Sequence, residues 1–240
     1  MVDLRGAAEN TVRRHAAVLT AVMICGAAVV GVASPPAWAC SLRSHCYGIA
    51  QWDVSRPSGF RGAAVTLRTK CMSLRDYAGG FVTNELWVVK SRYWVEVGLT
   101  EGAPIGSAHG IFWAEKRPNG GGYHEHYSPS RFALNASYNA RIRWAGGGRW
   151  NVAIGNLRGS STRQFSAPAH TLQTGTEIAS SRSPHTYGSS RSMKWFDRRG
   201  GAHTSWRSRS GRAYLSARRP VRVAWVKKHT YMRSRIGARC

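Results

Sequence analysis

Between Ser137 and Gly155 apolar side chains fall on alternate positions twice in succession. Tyr138, Ala140, Ile142 and Trp144 come first, and Trp150, Val152 and Ile154 follow the run Ala145-Gly146-Gly147-Gly148. A period of two turns one face of an extended strand toward a core and leaves the other polar, and a glycine run joins two such strands into a hairpin. The same rhythm of short strand and turn recurs along the chain, and no stretch carries the period of a long amphipathic helix. Strand signals fall at residues 47–52, 64–72, 81–89, 93–100, 111–115, 123–127, 164–165, 172–179 and 221–226. Many short strands spaced by roughly ten residues predict an all-β fold, an antiparallel two-sheet sandwich or jelly roll of concanavalin-like type.

Residues 1–39 stand apart from that pattern. Arg13 and Arg14 precede an apolar run from Ala16 to Ala33, and Ala37-Trp38-Ala39 supplies small residues at cleavage positions. This is the pattern of a secretory signal peptide. Gly26 and Gly31 interrupt the run, and Pro35-Pro36 ends it short of a comfortable membrane span. The expectation is a signal over residues 1–39 and a single β-sandwich domain over 40–240, secreted to the extracellular space or held at the cell wall, with no membrane span after cleavage. Four cysteines then remain, Cys40, Cys46, Cys71 and Cys240, enough for two disulfides in any of three pairings. No Cys-x-x-Cys occurs, so a structural zinc site is not expected.

Charge points to partners. The formal net charge is +24, and residues 182–240 hold sixteen Lys or Arg against one acid, Asp197. Trp195, Phe196, Trp206, Tyr214 and Trp225 recur through that basic quarter, so it reads as folded strands with basic outer faces rather than a disordered tail. Outside a cell such faces meet anionic or glycan polymers through charge and stacking, with nucleic acid a lesser expectation.

Against this background the carboxylates between Tyr93 and Tyr127 stand out. Tyr93, Val95, Val97 and Leu99 form a core face, which leaves Glu96 beside Trp94, Gly98 and Thr100 on the other. Glu125 shares a face with Tyr123 and Tyr127, while His124 and His126 share the opposite one. Leu86-Trp87-Val88-Val89 is apolar on both faces, as a doubly covered strand should be. Arg141 and Arg143, on the polar face of the 137–155 hairpin, either meet solvent or floor a cleft. The expected binding set is therefore Trp87, Trp94, Trp113, Glu115, Glu125, Arg141 and Arg143. Nothing in residues 40–90 carries a catalytic signal. His124 and His126 could begin a metal site, but a third ligand would have to come from His109, His170 or His185, and neither a metal nor a cofactor is expected. No Gly-x-Ser-x-Gly occurs, which argues against a serine hydrolase.

The order of five motifs resembles that of the glutamic peptidases, or eqolisins. They are Trp87-Val88, Glu96-Val97-Gly98, Phe112-Trp113-Ala114-Glu115, Ile154-Gly155-Asn156-Leu157 and Glu177. The resemblance covers roughly Trp87 to Ala179 and implies a secreted two-sheet jelly roll. It implies further that Glu177 matches the family's general base, while Glu96 stands where the family has a glutamine that stabilises an oxyanion. A carboxyl can replace that amide only when protonated, so the catalysis implied belongs to acid pH. Two functions follow as expectations. One is a monomeric polymer-binding protein whose concave aromatic and arginine-lined cleft takes a glycan, a peptide or an anionic wall polymer. The other is an acid endopeptidase using Glu177 and Glu96.

Overall fold

The computed structural model describes residues 45–54, 59–74, 80–102, 106–118, 121–162, 167–179, 184–209 and 211–237. The expected signal, the strand at 164–165, Cys40 and Cys240 lie outside them. The described residues contain no helix. In chain order the strands are β1 (His45–Asp53), β2 (Gly62–Leu74), β3 (Phe81–Lys90), β4 (Tyr93–Gly102), β5 (Gly106–Lys116), β6 (Tyr123–Arg131), β7 (Ser137–Gly146), β8 (Arg149–Ile154), β9 (Leu157–Ser160), β10 (Thr171–Ala179), β11 (Pro184–Phe196), β12 (Ala202–His203), β13 (Arg207–Ser208), β14 (Gly211–Arg212), β15 (Tyr214–Ala217), β16 (Arg222–Lys227) and β17 (Tyr231–Ile236).

They form two large antiparallel sheets and one small ribbon. The first sheet has the order β15-β1-β10-β3-β4-β5-β6, the second β16-β17-β11-β2-β7-β8-β9 with β12 beside β11, and β13 pairs β14. The expected all-β sandwich is the fold observed. Its packing follows the alternation in the sequence: Ala140, Ile142, Trp150, Val152 and Ile154 of the β7–β8 hairpin are buried, and Ile142 pairs Val152 in register. Facing them are Leu86 and Val88 of β3, and Val95, Val97 and Leu99 of β4, each fully buried. Burial of such aliphatic and aromatic side chains contributes roughly 1.5–3 kcal/mol apiece and dominates the stability of the sandwich.

The basic quarter is folded into strands, and besides β16, the strand expected at 221–226, it holds β11 to β15 and β17. β16 does not close the sheet, because β17 follows it and lies between β16 and β11. The 13-residue β11 carried almost no apolar alternation, and its packing shows why. Its inward positions include Thr186 and Ser190, and the hydroxyls pair across the layers: Thr174 with Ser190 at 2.7 Å, and Thr176 of β10 with Ser234 of β17 at 2.6 Å. Buried hydroxyls that satisfy each other avoid the cost of unpaired polar groups, so this part of the core is made of Ser and Thr.

Candidate functional site

The site lies on the face of the first sheet turned away from the core. On β3, Thr83, Glu85 and Trp87 alternate with core-facing Val82, Leu86 and Val88. Trp94 and Glu96 of β4, Gln173 and Glu177 of β10, and His45 and Tyr47 of β1 join Trp87 around a cavity of ≈ 740 Å³. Its cations are Arg92, Lys116 and Arg218. The doubly apolar strand expected at Leu86–Val89 thus has a core face and a cleft face, and Trp87 and Val89 are cleft wall.

Glu96 is the register partner of Trp87 and is only 3% exposed. Tyr123 Oη donates to its Oε1 at 2.5 Å, and the Trp87 and Trp94 side chains also hydrogen-bond to it. Burial, and then the charge of Glu177, push the Glu96 carboxyl up to about 8 against those donors. At acid and neutral pH it carries a proton.

Glu177 reaches the cleft from β10, where it is 7% exposed and pairs with the Nδ1 of His45. That hydrogen bond raises the His45 imidazole above its ordinary value, against the opposing effect of burial. The Thr83 hydroxyl lies 3.2 Å from the Glu177 backbone N–H and accepts from it.

A third carboxyl, Glu85, sits between the strands that carry the other two. Its register partners are Gly175 on β10 and Gly98 on β4. The glycines leave it room: a Cβ on Gly98 would fall 2.4 Å from Glu85 Cβ. Thr83 donates to Glu85 Oε1, while Oε2 is buried with no hydrogen-bond partner among the described residues. Burial, then the charges of Glu96 and Glu177, hold the Glu85 carboxyl well above the carboxylate range. Glu125 stands at the edge of this cluster, where it accepts from Tyr127 Oη at 3.0 Å.

The structure therefore brings Trp87, Trp94, Glu96 and Glu177 together, with Glu125 nearby. Four expected binding residues fall elsewhere. Trp113 points into the core and stacks on His126 at 4.0 Å between ring centroids. Glu115 is fully buried on the core side of β5, paired with Arg117 at 2.6 Å and accepting from Thr162 N–H at 2.9 Å. Arg141 and Arg143 belong to the second sheet and line a separate hollow of ≈ 560 Å³ with Trp144 and Arg158. His124 bonds the Gly121 carbonyl and His126 is occupied by Trp113. Among the described residues no group of three or more His, Cys, Asp or Glu could hold a metal ion.

Residues 40–90, expected to carry no catalytic signal, supply His45 and Tyr47 to the cleft wall and Glu85 to the carboxyl cluster beside it. Glu85 had a signal: it alternates with core residues in step with Trp87, and a carboxylate at such a position is a site candidate. His45 and Tyr47 had none, because their value comes from β10 lying next to β1.

No family model and no curated protein matches the chain. Solved structures do. Scytalido-glutamic peptidase with a transition-state analogue inhibitor superposes with a TM-score of 0.60 at 8% identity, covering 81% of this chain and 99% of that one. The fold is glutamic peptidase-like. The same peptidase with a peptide-based transition-state analogue gives 0.54 at 7% identity, covering 79% and 97%. SCP-B, a member of the eqolisin family in complex with the tripeptide Ala-Ile-His, gives 0.51 at 8% identity, covering 79% and 97%. At these identities the likeness speaks for the fold, and the chemistry must rest on the cleft itself.

Proposed function

We propose that the cleft binds an extended polypeptide and hydrolyses it at acid pH. One observation carries this reading: Glu96 and Glu177 line the same cavity, and burial together with Glu177 keeps a proton on Glu96. Glu177 takes a proton from a water whose oxygen adds to the peptide carbonyl carbon. Protonated Glu96 donates to the resulting oxyanion through Oε2, its Oε1 being held by Tyr123. Glu177 then returns the proton to the leaving nitrogen as the carbon–nitrogen bond breaks. A polypeptide is favoured over a glycan because two solved structures of like fold were captured with a peptide-based analogue and a tripeptide.

A second reading, binding without cleavage, is favoured by His45, which occupies the carboxylate that would act as base. Export completes both readings: residues 1–39 would be removed, and Cys40, Cys46, Cys71 and Cys240 would supply the disulfides. What supports this is that Cys46 and Cys71 are bonded sulfurs.

The test is incubation of the purified mature protein with an unfolded polypeptide at about pH 3–5. Fragments that disappear in Glu177→Gln support hydrolysis. Binding without fragments supports the second reading, and a gain of cleavage in His45→Ala then identifies the histidine as the block. Neither binding nor cleavage at any acid pH overturns both.

A further inference from the structure

The cleft draws on Glu85, Glu96, Glu125 and Glu177 and leaves the excess positive charge of this protein unexplained. Every carboxylate carried by a strand belongs to the cleft-bearing sheet, and none belongs to the second. The outer face of that second sheet has a hollow of ≈ 380 Å³ lined by Arg68, Lys70, Tyr187, Ser189, Arg191, Tyr231 and Arg233. It collects cations from three strands, β2, β11 and β17.

The register explains the hollow. Arg68 and Arg233 both pair with Ser189, one from each side, so a small side chain separates two arginines on one face. Two tyrosines then orient the cations. Arg191 lies over the Tyr231 ring at 4.7 Å and donates to the hydroxyl of that residue at 3.1 Å. Arg233 donates to Tyr187 Oη at 2.8 Å, and Lys70 lies over the Tyr187 ring at 5.4 Å. The guanidinium groups of Arg191 and Arg233 are thus held in place before any ligand arrives, while none of these four cations has a carboxylate partner among the described residues. The Nε donors of Arg68 and Arg191 are buried and have no hydrogen-bond partner among the described residues.

Like charges on adjacent strands repel, and buried donors without acceptors are costly. An anion with several oxygens removes both penalties at once. Guanidinium forks match phosphate geometry in bidentate fashion. From this juxtaposition we infer that the outer face of the second sheet is a docking site for a linear phosphate polymer, with Arg68, Lys70, Arg191 and Arg233 as its phosphate contacts. The site lies on another sheet from the cleft and does not depend on what the cleft does.

The test is titration of the purified mature protein with inorganic polyphosphate, with orthophosphate, and with single-stranded DNA of matched phosphate number. Four phosphate contacts predict an affinity for polyphosphate that falls roughly 50-fold between about 50 and about 200 mM salt. The double variant Arg191→Gln/Arg233→Gln should bind roughly tenfold or more weakly at the lower salt, with a shallower salt slope. Arg141→Gln/Arg143→Gln removes the same charge from another part of the same sheet and should change binding little. Lys70→Gln, an exposed side chain, gives a smaller loss if the double variant does not fold. Equal losses from the two double variants would reduce the effect to net charge and overturn the site. So would salt-insensitive binding, orthophosphate binding as tightly as the polymer, or a preference for DNA.

Discussion

The Tyr123 hydroxyl donates a hydrogen bond of 2.5 Å to Glu96 Oε1, joining β6 to β4 across the intervening β5. The donor favours the charged carboxylate and so restrains a pKa that burial drives upward. Tyr123→Phe removes the restraint without removing the ring. The Glu96 carboxyl should then titrate above its value of about 8 in the unmodified protein. Carbon-13 NMR of the glutamate side-chain carboxyls across pH would measure it. An unchanged or lowered value would mean that Tyr123 does not hold Glu96.

Stability should depend on that same proton. The folded pKa of Glu96 is raised from 4.5 to about 8, so the native state holds a proton that the unfolded chain gives up. The contribution is fully present below about 4.5 and is lost as pH rises through about 8, which makes the protein less stable toward alkaline pH. The change is on the order of a few kcal/mol. Glu96→Gln should flatten this fall, leaving the slope that Glu85 imposes in the same direction. Urea unfolding between pH 5 and 9 measures it, and parallel curves for the two proteins would contradict the assignment.

Glu115 answers a different question, because it is buried without facing the cleft. Arg117→Ala removes this ion pair and leaves the carboxylate its hydrogen bond from the Thr162 N–H. Breaking a fully buried ion pair costs ~3–5 kcal/mol, and because Arg117 is partly exposed the loss should be roughly 2–3 kcal/mol. The melting temperature should fall while affinity for a ligand of the cleft stays unchanged. A selective loss of binding would return Glu115 to the site.

How much of this was legible can be judged residue by residue. The β7–β8 hairpin and the two faces of β4 were readable because the alternation there is strict and local. Residues 111–115 misled, because Ile111, Phe112, Trp113 and Ala114 are apolar on both faces and give no parity signal. Trp113 and Glu115 consequently turned out to face the core, while Phe112 borders the carboxyl cluster. β11 was invisible for the opposite reason, since Ser and Thr pack its inner face. Glu96 and Glu177 could be nominated by motif order, but the sequence held no sign that Glu85 stands between them or that His45 contacts Glu177.

The sequence by itself determined the fold class and the faces of β4, β7 and β8, since a period of two acts through neighbouring residues and needs no partner. Only the tertiary structure decided the site. β10 enters the first sheet between β1 and β3, pairing with strands more than eighty positions earlier. That nonlocal pairing puts Glu177, Glu85 and Glu96 on adjacent strands of one face, where shared burial and mutual repulsion keep protons on Glu85 and Glu96. The second sheet likewise set Arg68 of β2 and Arg233 of β17 on either side of Ser189, a juxtaposition that the long separation of these residues along the chain conceals.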